Sequence, residues 1–209
     1  MILEALTNFI PRNVKSINTT MSVCKMTVWL LFLLSHMTDA STTDPPWKNP
    51  VYSRMQNITS VIGVDKKTYY VKEGTFDEDI LIKKRVFCLI MRISDFSYGD
   101  AIAFRKYKTE VTQTRQKDFD LYLIPKKDGG YDVDNFMEVQ DEFQEEIANV
   151  HLVYSDYSIC ALFYYDIEDE YELWLYEEPN EVATACELLL ALLSDKPRNV
   201  YYTSDCNKS

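Results

Sequence analysis

Glu172 stands two residues before Trp174 in the run EYELWLY, residues 170–176, as a carboxylate set among aromatic and aliphatic side chains. Residues two apart in a strand share a face, so acid and indole lie side by side if this run is a strand. Two readings are open. Either the pair sits on a solvated face or at a wet barrel end, where a strand glutamate usually belongs, or both side chains point into a closed interior. A desolvated carboxylate beside an indole face suits an organic ammonium ion, through charge and through the cation–π attraction of the ring. The preceding run, YSICALFYY at 157–165, puts Ser158, Cys160, Leu162 and Tyr164 on one face and Tyr157, Ile159, Ala161 and Phe163 on the other. If Cys160 is bonded to Cys186 on a following helix, the Cys160 face is the outer one. Leu173 and Leu175 then lie under that helix, and Glu172, Trp174 and Tyr176 face inward.

The elements that would hold this pair follow from periodicity. From Thr68 onward, short runs rich in Val, Ile, Tyr and Phe recur at 68–73, 84–94, 100–109, 118–124, 130–139, 147–154, 157–165 and 170–176. Tyr98-Gly99-Asp100 and Asp128-Gly129-Gly130 are turn signals between them. Eight strands with short links predict an antiparallel sandwich or an up-and-down barrel. One helix follows in EVATACELLLALLSD, residues 181–195, with Asn180 as its cap and Pro197 as its stop. Val182, Ala185, Cys186, Leu189, Leu190 and Leu193 recur along it at helical spacing. One helix with one apolar stripe must pack on the outside of the sheet. The fold class is all-β with one packed helix, the arrangement of an eight-stranded antiparallel lipocalin barrel with a C-terminal α-helix on its outside. Residues 47–60 have room for one or two helical turns beginning at or after Pro50, and Val200-Tyr201-Tyr202 for a short extended return.

Composition narrows the function. The run MTVWLLFLL, residues 26–34, follows Lys25 and leads to Thr38-Asp39-Ala40, the layout of a secretory signal peptide over residues 1–40 with cleavage after Ala40. The leader is long for this class, which leaves Met21 or Met26 as alternative starts. The chain carries 22 basic and 33 acidic residues; losing Arg12, Lys15, Lys25, Glu4 and Asp39 leaves 19 and 31, a net charge of −12 over residues 41–209. Such a surface repels phosphate backbones, so nucleic acid is not an expected partner, and no membrane contact is expected once the leader is gone. Cys88, Cys160, Cys186 and Cys206 remain, enough for two disulfides in one of three connectivities. Their spacing fits no zinc motif, and His151 is the remaining histidine, so no metal or other cofactor is expected. Asn57-Ile58-Thr59 is a glycosylation acceptor sequence that places Asn57 at the surface. No nucleophile pairs with a base, and no glycine-rich phosphate loop occurs, so the chain is not read as an enzyme.

The segments VYSDYSICALF, YELWLYEEP, ATACELL and VYYTSDC, with TYYVKEGTF and KKRVFCLI earlier, resemble the tick salivary lipocalins of the histamine-binding protein family. The resemblance covers the whole chain after the leader and is strongest from Val153 onward. It implies nested disulfides, Cys160–Cys186 and Cys88–Cys206. It also implies an amine-binding motif in which Cys160, Leu162, Glu172-Leu173-Trp174 and Cys186 match, while Ala161 stands where the family has an aspartate that would face inward beside Glu172. Tyr171 stands where many members have a further cysteine. The implied activity is sequestration of a host biogenic amine, histamine or serotonin, with Glu172 as counter-ion and Trp174 as aromatic wall. An alternative cargo is a leukotriene or fatty acid, for which Arg92 and Arg105 are the candidate cations. A third expectation is an outer surface that engages a host complement or clotting protein. Tyr70, Phe104, Tyr122 and Phe136 are further candidates for the inner face.

Overall fold

Alternation of buried and exposed positions builds the sheet. In the computed structural model, which describes residues 44–110, 114–180 and 182–207, the strands are β1 (Thr68–Gly74), β2 (Phe87–Ser97), β3 (Asp100–Lys108), β4 (Lys117–Lys126), β5 (Phe136–Gln140), β6 (Glu146–Ser155), β7 (Cys160–Tyr165) and β8 (Glu170–Leu175). From β2 to β8 each pairs antiparallel with its successor. Strand β1 pairs with both β8 and β2, which closes the sheet into an up-and-down barrel rather than a sandwich. A short tail strand, β9 (Asn199–Val200), pairs with β1. The expected leader over residues 1–40 lies outside the described residues.

Local chemistry sets the boundaries that periodicity blurred. At the β2–β3 hairpin, Tyr98 (φ 55°) and Gly99 (φ 96°) both take the left-handed conformation that a tight two-residue loop requires. Strand β5 begins at Phe136 instead of near Gly130. Asp128 and Asn135 hold the intervening loop: the Asp128 N–H donates to Asn135 Oδ1 (2.8 Å), and Asn135 Nδ2 donates to Asp128 Oδ2 (3.0 Å). Strand β7 begins at Cys160 because the Asp156 carboxylate accepts the backbone N–H groups of Ser158, Ile159 and Cys160, folding that stretch into a turn.

Among the described residues two α-helices complete the fold, α1 (Thr59–Ile62) and α2 (Ala185–Leu193). A 3-10 turn at Pro50–Met55 precedes α1, so the helical turns do begin at Pro50. Ile58, Val61 and Ile62 join the barrel core, and the Tyr69 hydroxyl donates to the Val61 carbonyl. Helix α2 starts later than its apolar pattern indicates. Thr184 is its cap: the Thr184 hydroxyl accepts the Glu187 N–H (3.3 Å) and the Glu187 carboxylate accepts the Thr184 N–H (2.6 Å). That reciprocal box satisfies two helix-end donors where Asn180 would satisfy one, and Asn180 instead accepts the Val182 N–H (2.9 Å). Val182 is exposed, while Cys186, Leu189 and Leu190 are buried against β7 and β8. The disulfides are Cys160–Cys186, from β7 to α2, and Cys88–Cys206, from β2 to the tail.

On the outer face Trp47 packs against Tyr164 (ring centroids 5.1 Å) and His151 (5.9 Å), and Phe136 stacks on His151 (5.0 Å). Burial lowers the His151 pKa, opposed in part by the nearby Asp128 and Asp166. Neutral in the fold, His151 lets the unfolded chain bind the extra proton, so its contribution to stability is complete above the unfolded value of about 6.5 and is lost as pH falls from there toward the folded value. Urea titrations from pH 7 to 5 are expected to show this loss, and His151→Phe is expected to flatten it.

Candidate functional site

Strand β8 delivers Glu172 and Trp174 to the barrel interior, both fully buried, with Leu173 and Leu175 on the outer face beneath α2. The register sets Glu172 opposite Phe163 and Trp174 opposite Ala161 on β7. The inward reading of the pair therefore holds, because Cys160 does face the helix.

Glu172 has company that its own strand does not reveal. Strand β3 buries Ala101, Ala103, Arg105 and Tyr107 on the alternate positions that face the core. Arg105 Nη1 donates to Glu172 Oε1 at 3.0 Å, and Nη2 donates to Glu172 Oε2 at 2.5 Å. The Tyr165 hydroxyl (3.2 Å) and the Trp174 indole N–H also donate to Glu172 Oε1. On its other side Arg105 meets Asp79, through Nε at 2.8 Å and through Nη2. Asp79 lies in the β1–β2 connection, where its Oδ1 accepts the N–H groups of Leu81 (2.9 Å) and Ile82 (2.8 Å) and thereby shapes the turn that carries it into the barrel. Asp79, Arg105 and Glu172 are each 0% exposed.

Burying three ions costs several kcal/mol for each, and only close, multiply hydrogen-bonded geometry offsets that cost. The fork of Arg105 supplies it. Burial works to lower the Arg105 pKa, but the Asp79 and Glu172 carboxylates outweigh burial and hold it well above its ordinary value. Burial, then Glu172, raises the Tyr165 hydroxyl, which stays a donor. Two carboxylates face one guanidinium, so the cluster carries a formal charge of −1. Beside it stands an aromatic wall: Trp174 lies 4.2 Å from Phe163 and 5.5 Å from Tyr69 by ring centroids, and burial pushes the neighbouring Tyr176 hydroxyl up to about 12.

Other expected placements differ. Arg92 is exposed on the outer face of β2, since Leu89, Met91 and Ile93 take the inner one. Tyr70, Phe104, Tyr122 and Phe136 occupy outer, half-buried positions in their strands, where packing such as Phe136 on His151 and Tyr70 against Tyr202 covers their rings. Asn57 is half-buried, and its side chain accepts the Ser60 N–H (3.3 Å). Asp79 was missed altogether. Its signal was an acid placed directly before the apolar run Ile80-Leu81-Ile82, outside any strand pattern. A cavity of about 550 Å³ opens on the outer face of β1 and β2, apart from these side chains, with Tyr70, Lys108, Arg115, Glu178 and Tyr202 among its walls. Among the described residues, no group of three or more His, Cys, Asp or Glu could hold a metal ion.

The barrel is lipocalin-like. Its backbone resembles the crystal structure of AM182 in complex with serotonin, with a TM-score of 0.51 at 14% identity over 79% of this chain and 97% of that one. Lower similarity links it to lobster apocrustacyanin A1 (TM-score 0.48, 11% identity, 66% of this chain and 77% of that one). Japanin from Rhipicephalus appendiculatus bound to cholesterol gives a TM-score of 0.47 at 10% identity, over 66% of this chain and 92% of that one. At such identities the likeness is one of fold. The chain matches no curated protein by sequence. The family model described as tick histamine binding protein, however, matches residues 47–208, which takes in every strand, α2 and all four disulfide cysteines. The chain belongs to the tick histamine-binding protein family.

Proposed function

We propose that this chain is a secreted, non-catalytic binding protein that takes up a small organic cation of the histamine or serotonin class in its barrel, with Glu172 as the carboxylate and Trp174 as the aromatic wall. Sequestering such a mediator would suppress the host's inflammatory defence. Family membership supports a small-molecule cargo, and one observation carries the choice of cation: the buried Asp79–Arg105–Glu172 cluster has one negative charge in excess. A monocation entering beside it brings the interior to neutrality, and an unpaired buried charge is costly enough for that to matter. A lipid carboxylate would instead bring the interior to −2 and compete with two resident carboxylates for Arg105. The fatty-acid reading is therefore the weaker one. Secretion rests on the leader, with cleavage after Ala40, and on two disulfides of the kind that persist in oxidising compartments. Among the described residues, no helix is long and apolar enough to cross a membrane.

Glu172→Gln tests the reading. The amide keeps the shape of the side chain and leaves Asp79–Arg105 as a neutral pair, so the variant is expected to fold, although one oxygen that accepts from Arg105 becomes a donor nitrogen. A charged hydrogen bond is worth about 1.5–3 kcal/mol, so isothermal titration of histamine and serotonin into residues 41–209 is expected to show affinity falling roughly ten- to a hundredfold. Equal affinity for wild type and variant would remove Glu172 from the site.

A further inference from the structure

Glu172 is already held by four donors in the free protein. A carboxylate offers about two acceptor positions on each oxygen: Arg105 Nη1, the Tyr165 hydroxyl and the Trp174 indole N–H crowd Oε1, and Arg105 Nη2 donates to Oε2. An ammonium ion can pair with both oxygens of Glu172 only by replacing one of these donors. Of the two carboxylates, Tyr165 and Trp174 hydrogen-bond to Glu172 alone, whereas Arg105 holds both: its Nε and Nη2 already rest on Asp79. Asp79 is itself held in place by the Leu81 and Ile82 N–H groups.

We infer that Asp79 and Arg105 set the barrel's affinity for cations, Arg105 occupying the cation's seat on Glu172 until an ammonium ion displaces it onto Asp79. The exchange leaves two paired sets of charges, Arg105 with Asp79 and ammonium with Glu172. Without Asp79, displacement would strand a buried guanidinium, which is the costly outcome. Charge stoichiometry also defines the ligand class: one unpaired negative charge accommodates a monocation and leaves a dication in excess. Asp79 is a positioning residue that acts through Arg105. The inference rests on the amine reading above and names the residues that set its affinity and selectivity.

The test compares serotonin and histamine binding by wild type, Asp79→Asn, and the double variant Asp79→Asn/Arg105→Gln, with near-ultraviolet circular dichroism reporting the fold. Asparagine retains the Oδ1 that accepts from Leu81 and Ile82. In Asp79→Asn the cluster becomes neutral and Arg105 stays on Glu172, so affinity is expected to fall at least tenfold. In the double variant the charge returns to −1 and Glu172 is free of the guanidinium, so affinity is expected to equal or exceed that of wild type. A merely structural role for Asp79 would weaken both variants. Wild-type affinity in Asp79→Asn, or a double variant no tighter than Asp79→Asn, overturns the inference. Should Asp79→Asn fail to fold, a double variant tenfold weaker than wild type overturns it equally. A wild type that takes up no amine contradicts the amine reading; the inference then survives only if the double variant binds, and falls if it does not.

Discussion

Arg105→Met is expected to lower the free energy of unfolding by about 3–5 kcal/mol, because it leaves the Asp79 and Glu172 carboxylates buried with no cation between them. The loss would consume a large share of the stability of an ordinary domain. It does not measure the worth of the ion cluster, since most of it is the cost of the two charges left behind. The triple variant Asp79→Asn/Arg105→Met/Glu172→Gln separates the two quantities. Replacing a whole buried ionic cluster with uncharged groups of similar volume is often neutral or stabilising, so the triple variant is expected to regain most of what the single one loses. Urea denaturation midpoints of the two variants check this. A single variant as stable as wild type would mean that water or a compensating group reaches the carboxylates. A triple variant as unstable as the single one would locate the loss in packing.

Removing Cys88–Cys206 is the second large effect. In the chain-entropy model a cross-link stabilises by restricting the unfolded chain, and the restriction grows with the loop it closes. The separations are 118 residues for Cys88–Cys206 and 26 for Cys160–Cys186. The model gives roughly 5 kcal/mol for the first and roughly 3.5 kcal/mol for the second. The tail is also held by contacts other than the bridge: β9 pairs with β1, Tyr201 stacks on Phe76 (5.1 Å), and its hydroxyl donates to the Phe76 carbonyl at 2.5 Å. The expected loss therefore arises in the unfolded state. Guanidinium denaturation of Cys88→Ser/Cys206→Ser and Cys160→Ser/Cys186→Ser should place the first variant lower. The reverse order would assign the larger contribution to native packing around Cys160 and Cys186, both fully buried.

What could be read in the sequence followed from short-range periodicity. Parity along β7 and β8, combined with the Cys160–Cys186 link that the family resemblance implied, was enough to turn Glu172 and Trp174 inward. Parity also places Ala101, Ala103 and Arg105 on one face, yet an arginine on an apolar face has no meaning until its partner is known. That partner, Asp79, is 26 residues away in a connection with no periodic pattern, and Glu172 is 67 residues from Arg105. Such a cluster exists only once the barrel has closed. Tyr70, Phe104, Tyr122 and Phe136 misled for a different reason: a large aromatic body can be covered on the outside of a barrel as well as within it. The β-bulges, including the one at Phe87/Ile90 with Cys88 at φ 50°, and the Thr184–Glu187 cap depend on hydrogen bonds that compete locally with the simpler strand and helix patterns.

The most direct measurement is parallel isothermal titration of wild-type residues 41–209 with histamine, with serotonin and with a long-chain fatty acid. The buried charge of −1 leads to saturable heat with an amine and none with the fatty acid. Saturation by the fatty acid, with no heat from either amine, would contradict the central claim and return Arg105 to the role of a lipid-carboxylate partner.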